Sequence, residues 1–316
     1  MNGVNLNKTN ALDKIPELLA CPACRNKTLD FSENLTTLIC THCGNSYPVH
    51  DGIPDFLHGK DYTENSPTDI HHYFGTSFDY STHYSKDAEE FDYFQKKPGG
   101  TAHSERRVRE YITGMLKGRA GLILDVGCGN AWVANVFCKK GFKVVSLDLS
   151  HLNVKKALEK INHENHLGIV ADAFSLPFTE NSLDYVVASE VIEHVTDPVK
   201  FAEGLFRVIK PGGSLIITTP YKEKIVYTLC VHCNRMTPLH AHLHSFDKNK
   251  LQHLIADQNL YDLKTFRFGN KVLIHLRTHV LLKYLPFILW RIIDKTADLI
   301  YHSPSTIMGV WKKKTT

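Results

Sequence analysis

Residues Leu122 to Phe137 read LILDVGCGNAWVANVF: an apolar run, an acid, a glycine-rich turn, then an amphipathic segment. That order predicts a buried strand whose turn delivers a ligand to a helix N-terminus, where unpaired N–H groups and the positive end of the helix dipole lie. Gly127 and Gly129 have no Cβ, so the backbone can bend tightly there and approach a bound molecule. Dinucleotide sites share such a turn, so it constrains the fold more than the ligand. The strands beyond the turn decide between ligands.

A second strand, Lys143 to Leu147, ends in Asp148, an acid placed to accept from ribose hydroxyls. A third, Gly168 to Val170, ends in Ala171-Asp172-Ala173, and a fourth, Asp184 to Ala188, runs into Ser189-Glu190-Val191-Ile192-Glu193-His194. Asp197-Pro198 then supplies an N-cap and a first-turn proline for a helix to Val208. Lys210-Pro211-Gly212-Gly213 turns the chain into a fifth strand, Ser214 to Thr218. Strands six and seven are expected over Leu263 to Phe268 and Thr306 to Trp311. Alternation of this length implies a parallel sheet with ligands at the carboxyl ends of its strands. A nicotinamide site would place a glycine two residues after Gly129, and that window reads Asn130-Ala131-Trp132.

In order along the chain, DVGCGN, SLDLS, ADAFSLPF, ASEVIEHVTDP and FRVIKPGGSLIITTP make residues 102–220 resemble the class I S-adenosylmethionine-dependent methyltransferases. The resemblance implies a seven-stranded Rossmann-like α/β sheet, mostly parallel with an antiparallel last strand. It also implies that Asp125, Gly127 and Gly129 hold the methionine end of the cofactor. Cys128 lies in the same turn, and Ser189 closes the fourth strand. Asp148 would bind the ribose, Leu149 pack on the adenine, Asp172 accept from its amino group and Ala173 line its ring. The family's third glycine is Ala131 here.

Cys21-x2-Cys24 and Cys40-x2-Cys43 stand fifteen residues apart, the spacing of two knuckles that present four thiolates to one zinc ion. Four thiolates leave no open position, so the site reads as structural. Residues 15–57, with Tyr47-Pro48-Val49 and Asp51-Gly52-Ile53-Pro54, resemble the zinc-ribbon activator subunit of several RNA and protein methyltransferases, fused here to its enzyme. Such a domain could shield an apolar face or recognise substrate; the first role is favoured. A second cluster, Cys230, Cys233, His240, His242 and His244, offers another four-ligand zinc site. The cluster also resembles an insertion of some methyltransferases of this group, and that resemblance implies His242 as the third ligand, with His240 or His244 as the fourth.

Glu190, Glu193 and His194 come after strand four, where the methyl acceptor of the family lies. This E-x-x-E-H pattern is similar to that of the ubiquinone-biosynthesis O-methyltransferases, read there as a divalent-metal site; Mg2+ is one such ion. Without metal, His194 is the nearby side chain suited to general-base work. Glu193-His194 could instead simply order the loop.

Three domains are expected: a zinc ribbon over 12–58, an aromatic linker over 59–100, and the methyltransferase domain over 101–316. The linker carries Tyr62, Tyr73, Phe74, Phe78, Tyr80, Tyr84, Phe91, Tyr93 and Phe94 and ends at Pro98-Gly99-Gly100; it could be a lid over the site or interdomain packing. The Cys/His insertion lies near 228–246. A helical insertion near 271–304 mixes Leu281, Tyr284, Ile288 and Ile292 with Lys283 and Arg291, so it could cap the core or lie on an anionic membrane surface. A net charge of +4 over 316 residues is too small to argue for nucleic acid. The first twenty residues lack a signal-peptide pattern, so a cytoplasmic, or membrane-peripheral, location is expected. The leading reading is O-methylation of a small-molecule, lipid-linked or glycan-type acceptor. The alternatives are an RNA methyltransferase that uses the ribbon for recognition and a non-catalytic partner that keeps the fold.

Overall fold

The structure, a computed structural model, describes residues 16–58, 71–73, 76–78, 80–116, 118, 120–230 and 234–315. The N-terminal ribbon is a four-stranded antiparallel sheet in sequence order, β1 (Leu29–Phe31), β2 (Thr37–Cys40), β3 (Ser46–His50) and β4 (Ile53–Pro54). Next come a short hairpin, β5 (His71–Tyr73) and β6 (Thr76–Phe78), then α1 (Tyr80–Glu90) and α2 (Gly99–Met115). Pro98 is the N-cap of α2, so a helix opens where the aromatic segment ends at Pro98-Gly99-Gly100. A fixed proline φ just ahead of the first turn is compatible with helix initiation.

The large sheet has a parallel part made of β7 (Leu122–Val126), β8 (Lys143–Asp148), β9 (His166–Val170), β10 (Leu183–Ser189) and β11 (Ile209–Pro220). The strands are bridged by α3 (Trp132–Phe137), α4 (His151–Lys160) and α5 (Pro198–Arg207). A hairpin, β12 (Tyr227–Leu229) and β13 (Met236–Pro238), and the short α6 (Lys248–Gln252) lead to the last two strands, β14 (Tyr261–Asn270) and β15 (Pro304–Lys313). The sheet order is β14-β15-β11-β10-β7-β8-β9, and β15 runs antiparallel to both its neighbours, as expected. All five residues of β7 are buried, Asp125 among its four apolar residues included, as in a strand covered on both faces. Asp197 caps α5 by accepting from the Lys200 N–H at 3.0 Å. The Lys210–Gly213 word departs from expectation: it is a bulge inside β11, since Leu183 pairs with Ile209 and Tyr185 already with Ser214. Gly213 is needed there because a Cβ would stand 2.6 Å from the Asp184 carbonyl oxygen.

The ribbon and the large sheet share one core. Leu19, Leu29, Leu38, Tyr47 and Phe56 pack in the same buried cluster as Leu147, Ile169 and Phe178. Backbone bonds join them, Ala20 N–H to Pro177 O and Thr179 N–H to Leu18 O, both 3.1 Å, and Asp55 bridges Val170 in parallel. The ribbon thereby covers the β9 edge, which would otherwise present unpaired backbone groups.

At the opposite end, the insertion forms α7 (Lys271–His275), α8 (His279–Leu282) and α9 (Phe287–Ile300). Polar groups pin it. The buried Arg107 of α2 donates to the carbonyls of Leu282 (2.7 Å) and Leu285 (3.2 Å) and stacks over Trp290. Asp294 accepts from the backbone N–H groups of Gly269 and Asn270 at 3.0 and 2.7 Å. No helix among the described residues is long and apolar enough to cross a membrane.

Candidate active site and metal centres

Asp125 sits near the end of β7, 3 % exposed, with its Oδ2 lacking a hydrogen-bond partner. Burial, then the neighbouring Asp148, push its pKa well above the carboxylate range. The turn after it bends through left-handed residues, Gly127 (φ +64) and Gly129 (φ +49). A Cβ on Gly127 would stand 2.8 Å from Val191 Cγ2, so the turn is tightly packed against the segment after β10. The N–H groups of Gly127 and Cys128 both reach the Leu147 carbonyl, at 2.9 and 3.2 Å, which locks the turn to β8. Ala131, in place of the family's third glycine, is also left-handed (φ +52) and fully buried at the N-cap of α3. The turn keeps glycine's conformation while carrying a methyl group.

Asp148 ends β8 and accepts from the Ser150 N–H at 3.1 Å and from Asn153 Nδ2 at 2.7 Å. Burial raises its pKa and these hydrogen bonds oppose the rise. Asp172 accepts from the Phe174 N–H at 2.9 Å and starts the short turn that holds Ala173. Ser189 Oγ lies 3.0 Å from Thr218 Oγ1. These residues, with Leu149, all line one cavity of about 1030 Å³.

Glu190 and His194 line the same cavity from the segment after β10, and Cys230 and His240 reach its wall. Glu190 holds a left-handed φ of +58, strain of the kind that collects at functional sites. Its carboxyl opens on the cavity, yet enclosure by protein pushes its pKa up to about 7, helped by Glu223 and Glu105 and opposed by Thr218. His194 donates from Nδ1 to the Ala241 carbonyl at 3.2 Å. Burial, then His242, push its pKa down to about 4, so its imidazole is neutral at neutral pH.

Glu193 stands behind this wall, 1 % exposed, and neither carboxylate oxygen has a hydrogen-bond partner. Its backbone carbonyl accepts from the N–H groups of Leu243 and His244 at 2.7 and 3.2 Å, which docks the Cys/His insertion on this segment. The docking brings His242 in, so Glu193, His194 and His242 each offer a ligand atom within 4.8 Å of one another. His242 Nδ1 is paired with Glu223 Oε2 at 2.5 Å.

Several cavity residues carry no sequence motif. Arg109 and Glu105 line it from α2, joined at 3.0 Å, and the Arg109 guanidinium lies 5.7 Å from the Trp132 ring. Their sequence signal, an i,i+4 pair of opposite charge, is that of an ordinary solvated helix face. Tyr84 and Tyr93 line it from the aromatic linker, and the Tyr84 ring stands edge-on to His194 at 5.8 Å. Phe91 is exposed and Phe94 packs in the core. Tyr62, Phe74 and the side chains of Tyr73, Phe78 and Tyr80 lie outside the described residues, as does Cys233.

In the ribbon, the sulfurs of Cys21, Cys24, Cys40 and Cys43 all lie within 4.8 Å of one another, with Cys21–Cys43 at 3.7 Å and Cys24–Cys40 at 3.6 Å. Four thiolates around a tetrahedral zinc at ~2.3 Å would be separated by about 3.8 Å. The two knuckles match: the Arg25 N–H reaches Cys21 O and the Gly44 N–H reaches Cys40 O, both at 2.8 Å. Arg25 (φ +61) takes the left-handed turn that Gly44 (φ +77) takes, while its guanidinium donates to Leu176 O at 3.0 Å.

Residues 124–217 match the family described as a methyltransferase domain, and residues 14–52 match that of the Trm112p-like proteins. The chain carries a class I methyltransferase domain behind a Trm112p-like zinc ribbon. The methyltransferase domain is 38 % identical over 117 residues to the mitochondrial ubiquinone biosynthesis O-methyltransferase of Rattus norvegicus, covering 34 % of this chain and 33 % of the relative. It is 36 % identical over 109 residues to the ubiquinone biosynthesis O-methyltransferase of Rickettsia bellii (34 % and 45 % covered). It is 37 % identical over 97 residues to the 2-methyl-6-phytyl-1,4-hydroquinone methyltransferase of Synechocystis (30 % of each covered). The chain spans about a third of the rat relative's length.

Proposed function

We propose that the protein transfers a methyl group from S-adenosylmethionine to a hydroxyl oxygen of a small acceptor of quinol-like or lipid-linked type. The observation that carries this reading is a single cavity lined by Asp125, Asp148 and Asp172 together with Glu190 and His194. With Nδ1 committed to Ala241 O, the neutral His194 keeps the lone pair on Nε2. In-line attack forms the O–C bond and leaves the C–S electrons on sulfur, and the hydroxyl proton passes to Nε2. Tyr84 and Tyr93 act as a wall that keeps water from the sulfonium. The names of the relatives favour a small acceptor over RNA, and the retained cofactor acids argue against a non-catalytic partner.

The test is incubation with methyl-labelled S-adenosylmethionine and fractionated lipid, small-molecule and RNA extracts. Label in the lipid or small-molecule fraction is expected, with His194→Ala lowering turnover roughly 100-fold at unchanged cofactor affinity. Label confined to RNA would overturn the reading, and loss of affinity together with turnover would make His194 structural.

A second reading, exclusive of the base role because His194 has only Nε2 free, is favoured by the buried Glu193: burial, then Glu190, push its pKa well above the carboxylate range, and a divalent cation held by Glu193, His194 and His242 would let it ionise. Two imidazoles and one carboxylate suit zinc, manganese or iron better than magnesium. The four ribbon cysteines would hold zinc. Cys230 shares the knuckle signature, with the Asn234 N–H on Cys230 O and the Cys230 N–H on Arg235 O, both 2.9 Å, and a left-handed Asn234. That likeness supports Cys230 as a ligand of a third knuckle, whose second cysteine, Cys233, lies outside the described residues; His240 lines the same cavity as Cys230. Metal content per chain tests both: Cys21→Ser with Cys24→Ser should remove one equivalent, and Cys230→Ser a second. The ribbon's role is taken as structural, through its cover of β9, and the location as cytoplasmic.

A further inference from the structure

α7, α8 and α9 bury little on their outer side. Leu281 (75 % exposed), Tyr284 (77 %), Ile288 (66 %), Leu299 (88 %) and Ile300 (83 %) lie open, with further aliphatic residues between them. This is a fixed orientation and not a loosely packed segment: Arg107 grips the end of α8, Asp294 ties α9 to the end of β14, and Trp290 and Asp294 are the buried residues of α9. Exposed apolar area of this extent on a pinned element marks an interaction surface. The charges around it have one sign. Arg277, Lys283, Arg291 and Lys295 are exposed, none is in an ion pair among the described residues, and Asp294, one of two acids in 271–304, is buried while Asp298 is occupied by His302 and the Ser303 N–H.

We infer that this face docks on an anionic phospholipid surface. Apolar side chains that enter the headgroup boundary beside unpaired Lys and Arg are the signature of an interfacial helix. The face also bears on the site, because α2 carries Arg107 toward the insertion and Ser104, Glu105 and Arg109 toward the cavity. Docking would hold the cavity wall against the bilayer from which an apolar acceptor is drawn. The surface stands on exposure and charge and is independent of the chemistry proposed for the cavity.

The experiment is co-sedimentation of the full chain with phosphatidylcholine vesicles, with and without phosphatidylserine, and without cofactor or acceptor. Binding that requires phosphatidylserine and weakens with added salt is expected. Lys283→Glu with Arg291→Glu should weaken it at least tenfold, and so should Ile288→Ser with Leu299→Ser, each with an unchanged thermal melt to show the fold intact. Absence of binding by the unaltered chain, or binding by both variants as tight as that of the unaltered chain, would overturn the inference. A dimer in sedimentation velocity that the Ile288→Ser, Leu299→Ser variant abolishes, with no vesicle binding, would assign the face to a second copy and overturn it as well.

Discussion

The two ends of the large sheet are covered in opposite ways. At β9 the ribbon sinks Leu19, Leu38 and Phe56 into the same core as the sheet, each at most 1 % exposed. At β14 and β15 the helical insertion is fastened by a buried arginine and a buried aspartate and packs Leu282, Leu285 and Phe287 on the core, while Leu281, Ile288, Leu299 and Ile300 face outward. One addition is complete within the chain; the other presents a surface suited to something outside it. Apolar residues therefore carry different meaning at the two ends, stability at the first and association at the second.

Replacing Cys21 and Cys24 together with serine should have the largest effect on the ribbon end. Metal binding in such a site is folding free energy, so the ribbon should lose its metal and its share of the common core. A large fall in the melting temperature with one metal equivalent lost is expected; unchanged metal content would refute the ribbon as a metal centre. Phe56→Ala comes next, at about 3–5 kcal/mol in urea unfolding, the cost of emptying a buried aromatic site. A loss below roughly 1 kcal/mol would show that ribbon and sheet do not share a core. Smallest is Leu299→Ser at the other end, which should change stability by no more than about 0.5 kcal/mol. A cost like that of Phe56→Ala would mean the insertion is packed inward after all.

Much of the fold was legible because the β7 turn and the alternation after it obey local rules: burial of an apolar run, capping by Asp197, and strand ends that carry acids. The ribbon was legible from cysteine spacing alone. The bulge in β11 was not, since Pro211-Gly212-Gly213 also reads as a turn and only pairing with β10 distinguishes them. The expected cofactor residues all line one cavity, whereas Arg109, Glu105 and the approach of Tyr84 to His194 depend on where α1 and α2 dock. The grouping of His242 with Glu193 and His194 was equally hidden. It arises from backbone bonds between the insertion and the Glu193 carbonyl, which no residue spacing reveals.

The proposed function requires the cavity at the ends of β7 and β8 to hold the methyl donor. Calorimetric titration with S-adenosylhomocysteine, on the unaltered chain and on Asp148→Ala, tests it most directly. Binding by the first is expected, with a loss of about 1–3 kcal/mol, roughly 5- to 150-fold, in the second, the scale of a lost charged hydrogen-bond partner. Equal affinity in the two, or no binding by the unaltered chain, would contradict it.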